Sequence, residues 1–454
     1  MEHMLSGLLA QRERDGNPIR VGLVGSGKFG TGLVAQVAGM RGMEVVAIAD
    51  INLDSAKEAF EAGGYTAEKT YVVQNGSGLG DAVKSGKRAI TDDASLITAG
   101  EGIDVVVDAT GIPSVGASSA HDAISHNKHI VMVNVEADVT VGPYLKRMAD
   151  AAGVVYSLVD GDQPGCTMNM VDWASTLGFE IVSAGRGTIM LGDDREGIPD
   201  TVPARFGFTE EMISRRKINF KMYNSFRDGT KAQVEMTALS NMAGLPPDKR
   251  GMHEPSVNIS DIARVLSLEE EGGVLNSSGV VDLANSIATD GKTPLERPLN
   301  MGVFVVIRTD HPFIQEDLKG YIAIEGGNGK NFLLYRPYHL VAVEAPITIA
   351  KAALFGLPTG APVGHTSDVI AVAKKDLKQG EVLDGGGGYT VSGLIERADV
   401  SMRDGLLPLG LSSGATLTAD VSKGTAIRYD DVIPEDGFVQ TIRKLQDATL
   451  WGAS

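Results

Sequence analysis

The residues best placed to do chemistry lie near the start of the chain. Gly25, Ser26, Gly27, Lys28, Phe29 and Gly30 follow the apolar run 19–24, and Asp50 ends a second apolar run, 45–49. Glycines at the first, third and sixth positions of such a turn make it tight, let a phosphate approach the backbone, and let the next helix lie close to the strand. The helix N-terminus offers unpaired N–H groups and a positive dipole end. A carboxylate about 20 residues beyond the last glycine accepts hydrogen bonds from a ribose. The pattern therefore implies a dinucleotide site. Glycine is common here, 56 of 454 residues, so the signal is the order of strand, turn, helix, strand and acid. Lys28 either neutralises a pyrophosphate or faces water. Asp50 either binds the ribose or caps the helix near Ser55. Bound to the ribose it favours NAD over NADP, because it repels a 2′-phosphate, and nearby Asn52 and Lys57 could soften that repulsion.

Further candidates stand where later apolar runs end. Thr110 and Gly111 follow the run 104–109, and Asn134 and Glu136 follow 129–133; both ends are expected to face the cofactor, the bland alternative for Thr110 being a turn hydroxyl. Glu136, Asp138, Asp160 and Asp162 form a set of carboxylates that either holds a divalent ion, works in acid–base catalysis, or is simply solvated. No metal ligand is assigned. Lys217, Lys221, Arg227 and Lys231 form the densest basic stretch of an acidic chain, with Asn224 and Ser225 among them. A phosphorylated substrate needs such cations and neutral donors. Lys231 and Glu235 share a helix face at i and i+4, as a surface ion pair or as a lysine acid with its partner. Arg336 and His339 offer a second anion contact. The candidate catalytic residues are Lys231, Glu235, Asp160 and Asp162. The candidate substrate contacts are Lys221, Asn224, Ser225, Arg227, Arg336 and His339.

These residues must be positioned by regular elements. From 19 to about 160, continuous apolar runs alternate with helical patterns, as in a doubly wound parallel sheet covered on both faces. Ligands bind beyond the carboxyl ends of such strands. The expected helices include 56–62, 94–99, 118–126 and 142–152. From 165 to 365 the texture becomes α+β: a helix at 167–177, a strand at 179–188, a polar loop at 193–208, a helix at 231–242, and strands at 303–308, 320–324 and 332–336. Residues 366–454 read as a small β-rich segment in which 376–383 and 421–432 repeat one theme and 385–388 form a flexible tip. The expected domains are 1–164, 165–365 and 366–454.

A net charge of −17 and a pI near 4.9 disfavour nucleic acid and anionic membrane as partners. Cys166 is the sole cysteine, which excludes an internal disulfide. Residues 1–18 carry charges and no long apolar stretch, and nothing reads as a membrane span. A cytoplasmic homo-oligomer acting on a small phosphorylated or acidic molecule is expected.

Val107-Asp108-Ala109-Thr110-Gly111, Val159-Asp160-Gly161-Asp162-Gln163-Pro164 and Gly185-Arg186-Gly187-Thr188 resemble the homoserine dehydrogenase-type oxidoreductases. The C-terminal segment resembles the SAF domain. The whole order, with Asp228-Gly229-Thr230-Lys231 and Tyr335-Arg336-Pro337-Tyr338-His339-Leu340, resembles the 1-deoxy-D-xylulose 5-phosphate reductoisomerase-like enzymes of some bacteria. That resemblance implies a Rossmann domain, an α+β catalytic and dimerisation domain and an SAF-like domain. It also implies skeletal rearrangement of a phosphorylated ketose followed by reduction to 2-C-methyl-D-erythritol 4-phosphate, in isoprenoid biosynthesis. Enzymes of that kind use NADPH, whereas Asp50 favours NAD, so the cofactor is NADP or NAD, with a divalent metal as a further expectation. The alternatives are a hydroxy- or sugar-acid dehydrogenase and a non-catalytic dinucleotide sensor.

Overall fold

A computed structural model describes residues 4–216, 218–321 and 324–452. They form two compact units: Met1–Gly165 with Leu340–Ala361 and Phe438–Ser454, and Cys166–His339 with Pro362–Gly437. This differs from the three consecutive segments expected. Residues 366–437 join the second unit, and two later segments return to the first.

The first unit is a Rossmann-like α/β fold. Its strands are β1 (Ile19–Val24), β2 (Met43–Ala49), β3 (Thr70–Val72), β4 (Arg88–Thr91), β5 (Val105–Asp108), β6 (His129–Met132) and β7 (Tyr156–Leu158), in the order β3-β4-β2-β1-β5-β6-β7. All pairs are parallel. Parallel strands need crossovers, and helices supply them: α1 (Leu5–Arg14) precedes the sheet, and α2 (Lys28–Ala38), α3 (Leu53–Ala62), α4 (Gly76–Lys84), α5 (Ala94–Thr98), α6 (Pro113–Ser125) and α7 (Val135–Ala152) follow successive strands. The core gathers Leu23, Ile48, Val105 and Val131 from the sheet with Leu33, Val37 and Phe60 from α2 and α3. β2 lies on one side of β1 and β5 on the other. The strand order reverses there, which is where such sheets bind ligands.

Helix α7 begins seven residues earlier than its sequence pattern suggests. Asn134 caps it, accepting from the Ala137 N–H, and Pro143 lies inside it. A proline interrupts the backbone ladder and displaces the turn before it. Here the Tyr144 N–H donates to Gln446 Oε1 at 3.1 Å, and the Thr140 carbonyl accepts from Arg443 and Gln446. Both partners are buried on the helix Phe438–Trp451. The repair explains why the C-terminus packs in the first unit.

The second unit holds a five-stranded sheet, β8 (Glu180–Thr188), β9 (Val280–Asn285), β10 (Val303–Arg308), β11 (Ile324–Glu325) and β12 (Asn331–Arg336), in the order β11-β12-β10-β8-β9. β8 and β9 are parallel and the other pairs antiparallel. Helix α8 (Gln163–Thr176) leads into it, and α9 (Val202–Phe206), α10 (Glu210–Arg216), α11 (Phe220–Arg227) and α12 (Thr230–Ala243) follow β8. The polar loop expected at 193–208 contains α9 and two short 3-10 turns. Gly320 ends a helix, Pro312–Gly320, instead of opening a strand; Ile322 and Ala323 lie outside the described residues. The hairpin β13 (Ser367–Ala373) and β14 (Val391–Arg397) packs on α12, where Thr230 Oγ1 accepts from the Gly393 N–H and Gln233 Oε1 from the Ile395 N–H. The two similar segments meet each other: Leu377 and Val421 exchange backbone hydrogen bonds. Residues 385–388 are no flexible tip. The Gly387 and Gly388 carbonyls accept from Asn224 and Lys374, and a Cβ on Gly387 would lie 2.3 Å from the Lys221 carbonyl. Among the described residues, no helix is long and apolar enough to cross a membrane.

Asp138 was expected at a ligand site. Instead it is buried in α7, accepts a 2.8 Å hydrogen bond from the Tyr156 hydroxyl, and is pushed by burial up to about 7. A carboxyl whose folded value is raised stabilises the fold fully below its unfolded value and loses that contribution as pH rises through the folded one. Wild-type stability should therefore fall relative to Asp138→Asn between pH 4 and pH 7, by on the order of 4 kcal/mol at full titration. Denaturant melts of both proteins across that range would show it; a difference flat with pH would mean that Asp138 stays ionised.

Candidate functional site

The glycine turn has the shape that a pyrophosphate requires. Gly25 takes φ 92°, in the left-handed region. A Cβ on Gly30 would lie 2.3 Å from the Gly25 carbonyl, whereas one on Gly27 would meet nothing within 4 Å. The first two constraints fix the turn and seat α2 against it. The third leaves open space beside the helix N-cap, where Gly27 stands and Lys28 is exposed. Phe29 packs on the core below.

Asp50 is tied into this turn. Its Oδ2 accepts from Ser26 N and Ser26 Oγ at 2.8 and 2.7 Å, and its Oδ1 from Asn52 N at 2.8 Å. It does not cap α3; Asn52 does, accepting from Asp54 N and Ser55 N. Lys57 pairs with Asp54. Asn52 thus meets Asp50 through its backbone N–H while its side chain caps α3, and Lys57 is engaged with Asp54.

Next to β1, the end of β5 is braced by Asn134. Its Nδ2 donates to Asp108 Oδ1, Thr110 Oγ1 and the Ile112 carbonyl at 2.9–3.1 Å. Asn134 is buried, so it shapes the Thr110–Gly111 turn from beneath. Thr110 also donates to Asp108. Gly111 is exposed and Glu136 half-buried in the first turn of α7. Asp160 lies at the end of β7. Its N–H donates to Thr348, its Oδ1 accepts from the Gly161 N–H, and Lys351 Nζ is 3.9 Å from its Oδ2. Asp162 accepts from the Gln163 N–H. Among the described residues, Glu136, Asp138, Asp160 and Asp162 do not gather as a set of metal ligands.

In the second unit the basic stretch is spent largely on the fold. Arg227 is buried and donates to Asp194 at 2.8 Å; Arg205 donates to both Asp194 oxygens at 3.0 Å. Burial alone would raise Asp194, but these partners hold it below the usual carboxylate range. Asn224 is buried and donates to the Gly197 and Gly387 carbonyls. Lys221 bonds the Asp384 carbonyl, and Ser225 bonds the Met222 carbonyl. Lys217 lies outside the described residues. Arg227 is committed to Asp194 and Thr201, whereas Asn224 keeps a buried Oδ1 with no hydrogen-bond partner among the described residues.

Glu235 is likewise no surface partner of Lys231. It is buried one turn into α12 and pairs with Arg186 of β8. Lys231 is half-buried in the first turn. Arg186 stands opposite Val303, and Val303 opposite Arg336. Directly opposed residues share a face, so the two arginines lie in one row on the face that receives α12. Arg336 lies 4.4 Å from the Tyr338 ring. His339 Nδ1 is 2.9 Å from the Met301 carbonyl, and Arg186 Nη2 is 3.5 Å from Met301 Sδ. Arg186 was visible in the sequence only as part of a motif; its burial against Glu235 has no local signal.

Residues 25–157 match the model of the homoserine dehydrogenase NAD-binding domain, and residues 161–345 match that of the catalytic domain of oxidoreductase DRL. The chain is an NAD(P)-dependent oxidoreductase. No curated protein matches this oxidoreductase. Solved structures similar to it include a probable dehydrogenase from Thermotoga maritima, at 12% identity and a TM-score of 0.38, over 75% of this chain and 90% of that one. A myo-inositol dehydrogenase from Lactobacillus casei matches at 14% identity and 0.28, over 41% and 50%. A biliverdin reductase from Synechocystis sp. PCC 6803 matches at 19% and 0.24, over 38% and 48%. The chain spans about half the length of the latter two.

Two outcomes follow from the turn. Gly27→Val places its side chain in open space, so the fold should survive while nucleotide affinity drops by at least about a hundredfold, roughly 2.7 kcal/mol. Isothermal titration of the folded variant checks this, and unchanged affinity removes the site. Asp50→Ser should weaken both cofactors, because Ser26 loses its acceptor, yet raise the NADP-to-NAD efficiency ratio by roughly tenfold, about 1.4 kcal/mol. A fixed ratio would make Asp50 a brace for the turn and nothing more.

Proposed function

We propose that this oxidoreductase is a reductoisomerase of a phosphorylated ketose, converting 1-deoxy-D-xylulose 5-phosphate to 2-C-methyl-D-erythritol 4-phosphate. The observation that carries the reading is Arg336, which lies in one row with the Glu235-paired Arg186 on the face that receives α12, whose first turn holds Lys231. A doubly charged phosphate brought to an acidic protein needs local cations, and guanidinium groups suit phosphate oxygens. The match of residues 161–345 to an oxidoreductase catalytic domain puts this row in the matched segment.

In this reading, bound nicotinamide supplies hydride to a carbonyl carbon. The chain's residues bind, orient and exclude water. Gly25, Ser26, Gly27 and Gly30 hold the pyrophosphate and Asp50 faces the adenosine ribose. Lys231, Arg336 and His339 bind the substrate's anionic end. Glu235 is a positioning residue that fixes Arg186. Asp160 and Asp162, at the end of β7, serve the reacting end, with a divalent ion as a cofactor to be tested. A cytoplasmic homo-oligomer and an SAF-like character for residues 366–437 belong to the same proposal. The match of residues 25–157 favours a second reading, simple oxidation of a small hydroxy acid.

The deciding assay offers phosphorylated ketoses and hydroxy acids with NADPH, NADP, NADH and NAD, with and without magnesium or manganese. Turnover of 1-deoxy-D-xylulose 5-phosphate supports the first reading; turnover of a hydroxy acid alone supports the second. Lys231→Ala should lose about 1.5–3 kcal/mol of substrate binding, the range for a charge-assisted bond, and leave nucleotide affinity unchanged. Wild-type kinetics for that variant would exclude Lys231 from the anion site.

A further inference from the structure

The strand order of the first unit divides any dinucleotide laid across it. β2, which delivers Asp50, lies on one side of β1, and β5 lies on the other. A pyrophosphate on the glycine turn, with its adenosine ribose at Asp50, leaves the nicotinamide half to the β5 side. The turn that follows β5 abuts the glycine turn. A Cβ on Gly25 would lie 3.0 Å from the Ala109 carbonyl and 3.1 Å from Thr110 N, and the Ala109 N–H donates to the Val24 carbonyl at 2.8 Å. Gly111 takes φ 66°, and Ile112 is 50% exposed. Open backbone and an apolar side chain thus stand where the second half of the cofactor would lie.

A buried polar network fixes this turn from beneath. Asp108 is buried at the end of β5. Its Oδ1 accepts from Thr110 N, Thr110 Oγ1 and Asn134 Nδ2 at 3.2, 2.9 and 3.1 Å. Asn134 Nδ2 also donates to Thr110 Oγ1 at 3.1 Å and to the Ile112 carbonyl at 2.9 Å. Gly116 of α6 makes room for the amide, since a Cβ there would lie 2.4 Å from Asn134 Nδ2. Burial pushes the Asp108 carboxyl up, and the bonds from Asn134 and Thr110 oppose that shift. For the fold alone, an apolar side chain would fill the same space without the cost of burying a carboxyl. What the carboxyl secures is a turn held in one shape before a ligand arrives, which lowers the ordering that binding must supply.

We infer that Asp108 and Asn134 are positioning residues for the nicotinamide half of the cofactor. They act through the Thr110–Ile112 turn, which they hold as a preformed wall, and touch no ligand themselves. The inference rests on the assignment of the glycine turn to the pyrophosphate and is independent of the substrate. The role is one of geometry and not of charge. Thr110 and Asn134 need an acceptor at the Oδ1 position, and an amide oxygen supplies it as a carboxylate does.

The test is isothermal titration of the full chain with two probes. The reduced dinucleotide, NADH or NADPH as the wild type prefers, spans both halves of the site. ADP, carrying a 2′-phosphate if NADPH is preferred, spans only the adenosine half. Asp108→Ala should weaken the dinucleotide by about tenfold or more, roughly 1.4 kcal/mol, and leave ADP affinity within about twofold. Asp108→Asn keeps the acceptor and should restore the affinity for the dinucleotide. Asn134→Ser keeps an oxygen to cap α7 but is too short to reach the turn. It should repeat the loss of the dinucleotide and spare ADP, and it decides the matter if Asp108→Ala does not fold. An unchanged ratio of the two affinities in the folded variants, whether both probes hold or both weaken, overturns the inference. So does a loss in Asp108→Asn as large as in Asp108→Ala. Wild-type protein that binds neither probe overturns the assignment of the glycine turn itself.

Discussion

A charge taken out of water must be paired, and the second unit is organised around that constraint. Arg186 meets Glu235, Arg227 and Arg205 meet Asp194, and Lys374 meets Asp228 at 2.5 Å. Breaking such a pair leaves a bare buried charge and costs about 3–5 kcal/mol. Three of the pairs tie a loop or strand to α11, to Asp228 at its end, or to α12, while Arg205 ties α9 to the segment before it: Asp194 lies in that segment, Lys374 just after β13, Arg186 in β8. The cations that look in the sequence like a substrate cluster are thus partly fixtures of the scaffold. What they hold in place is the seat of α12 on the sheet, on the face where Arg186 and Arg336 share a row.

The first unit obeys the opposite rule around its glycine turn, where groups are left open. Gly27 has empty space where a side chain would be, and Gly111 is exposed. Asp50 links the two aspects. Its carboxylate braces Ser26 and so fixes the turn, yet remains an anion at the place where the adenosine ribose is expected. In the proposed reading a carboxylate at that place favours NAD, whereas the reductoisomerase resemblance implies NADPH.

Much of this was legible in the sequence. Five of the seven parallel strands, β1, β2, β5, β6 and β7, lie in apolar runs, and the glycine turn and Asp50 stand at fixed offsets from them, so local pattern sufficed there; β3 and β4 are short and partly polar and went unread. The site in the second unit was less legible because its partners are distant in sequence. Arg186 and Glu235 are 49 residues apart, Arg227 and Asp194 33. An i,i+4 pattern places Lys231 and Glu235 on one helix face, but it gives no sign that Glu235 is buried against an arginine of a strand. Met252 and Glu254, both in the left-handed region, give no sign at all: neither residue type favours a left-handed backbone, and the turn that holds them is tied to Asp282 of β9 and to Asp248.

The division into units shows how one residue can have consequences across the chain. Gly142-Pro143 reads as a helix boundary, because proline ends most helices. Yet residues 135–145 are largely buried and Asn134 caps them, so the helix continues through the proline with its hydrogen-bond ladder broken. Broken backbone groups inside a core need partners. Gln446 and Arg443 provide them, with Gln446 302 residues beyond Tyr144. A long amide side chain can both accept from the freed Tyr144 N–H and donate to the Thr140 carbonyl, which few other residue types can do. The C-terminal helix is drawn to the first unit by that demand, so residues 362–437 of the second unit, like 166–339, stand in the sequence between segments of the first.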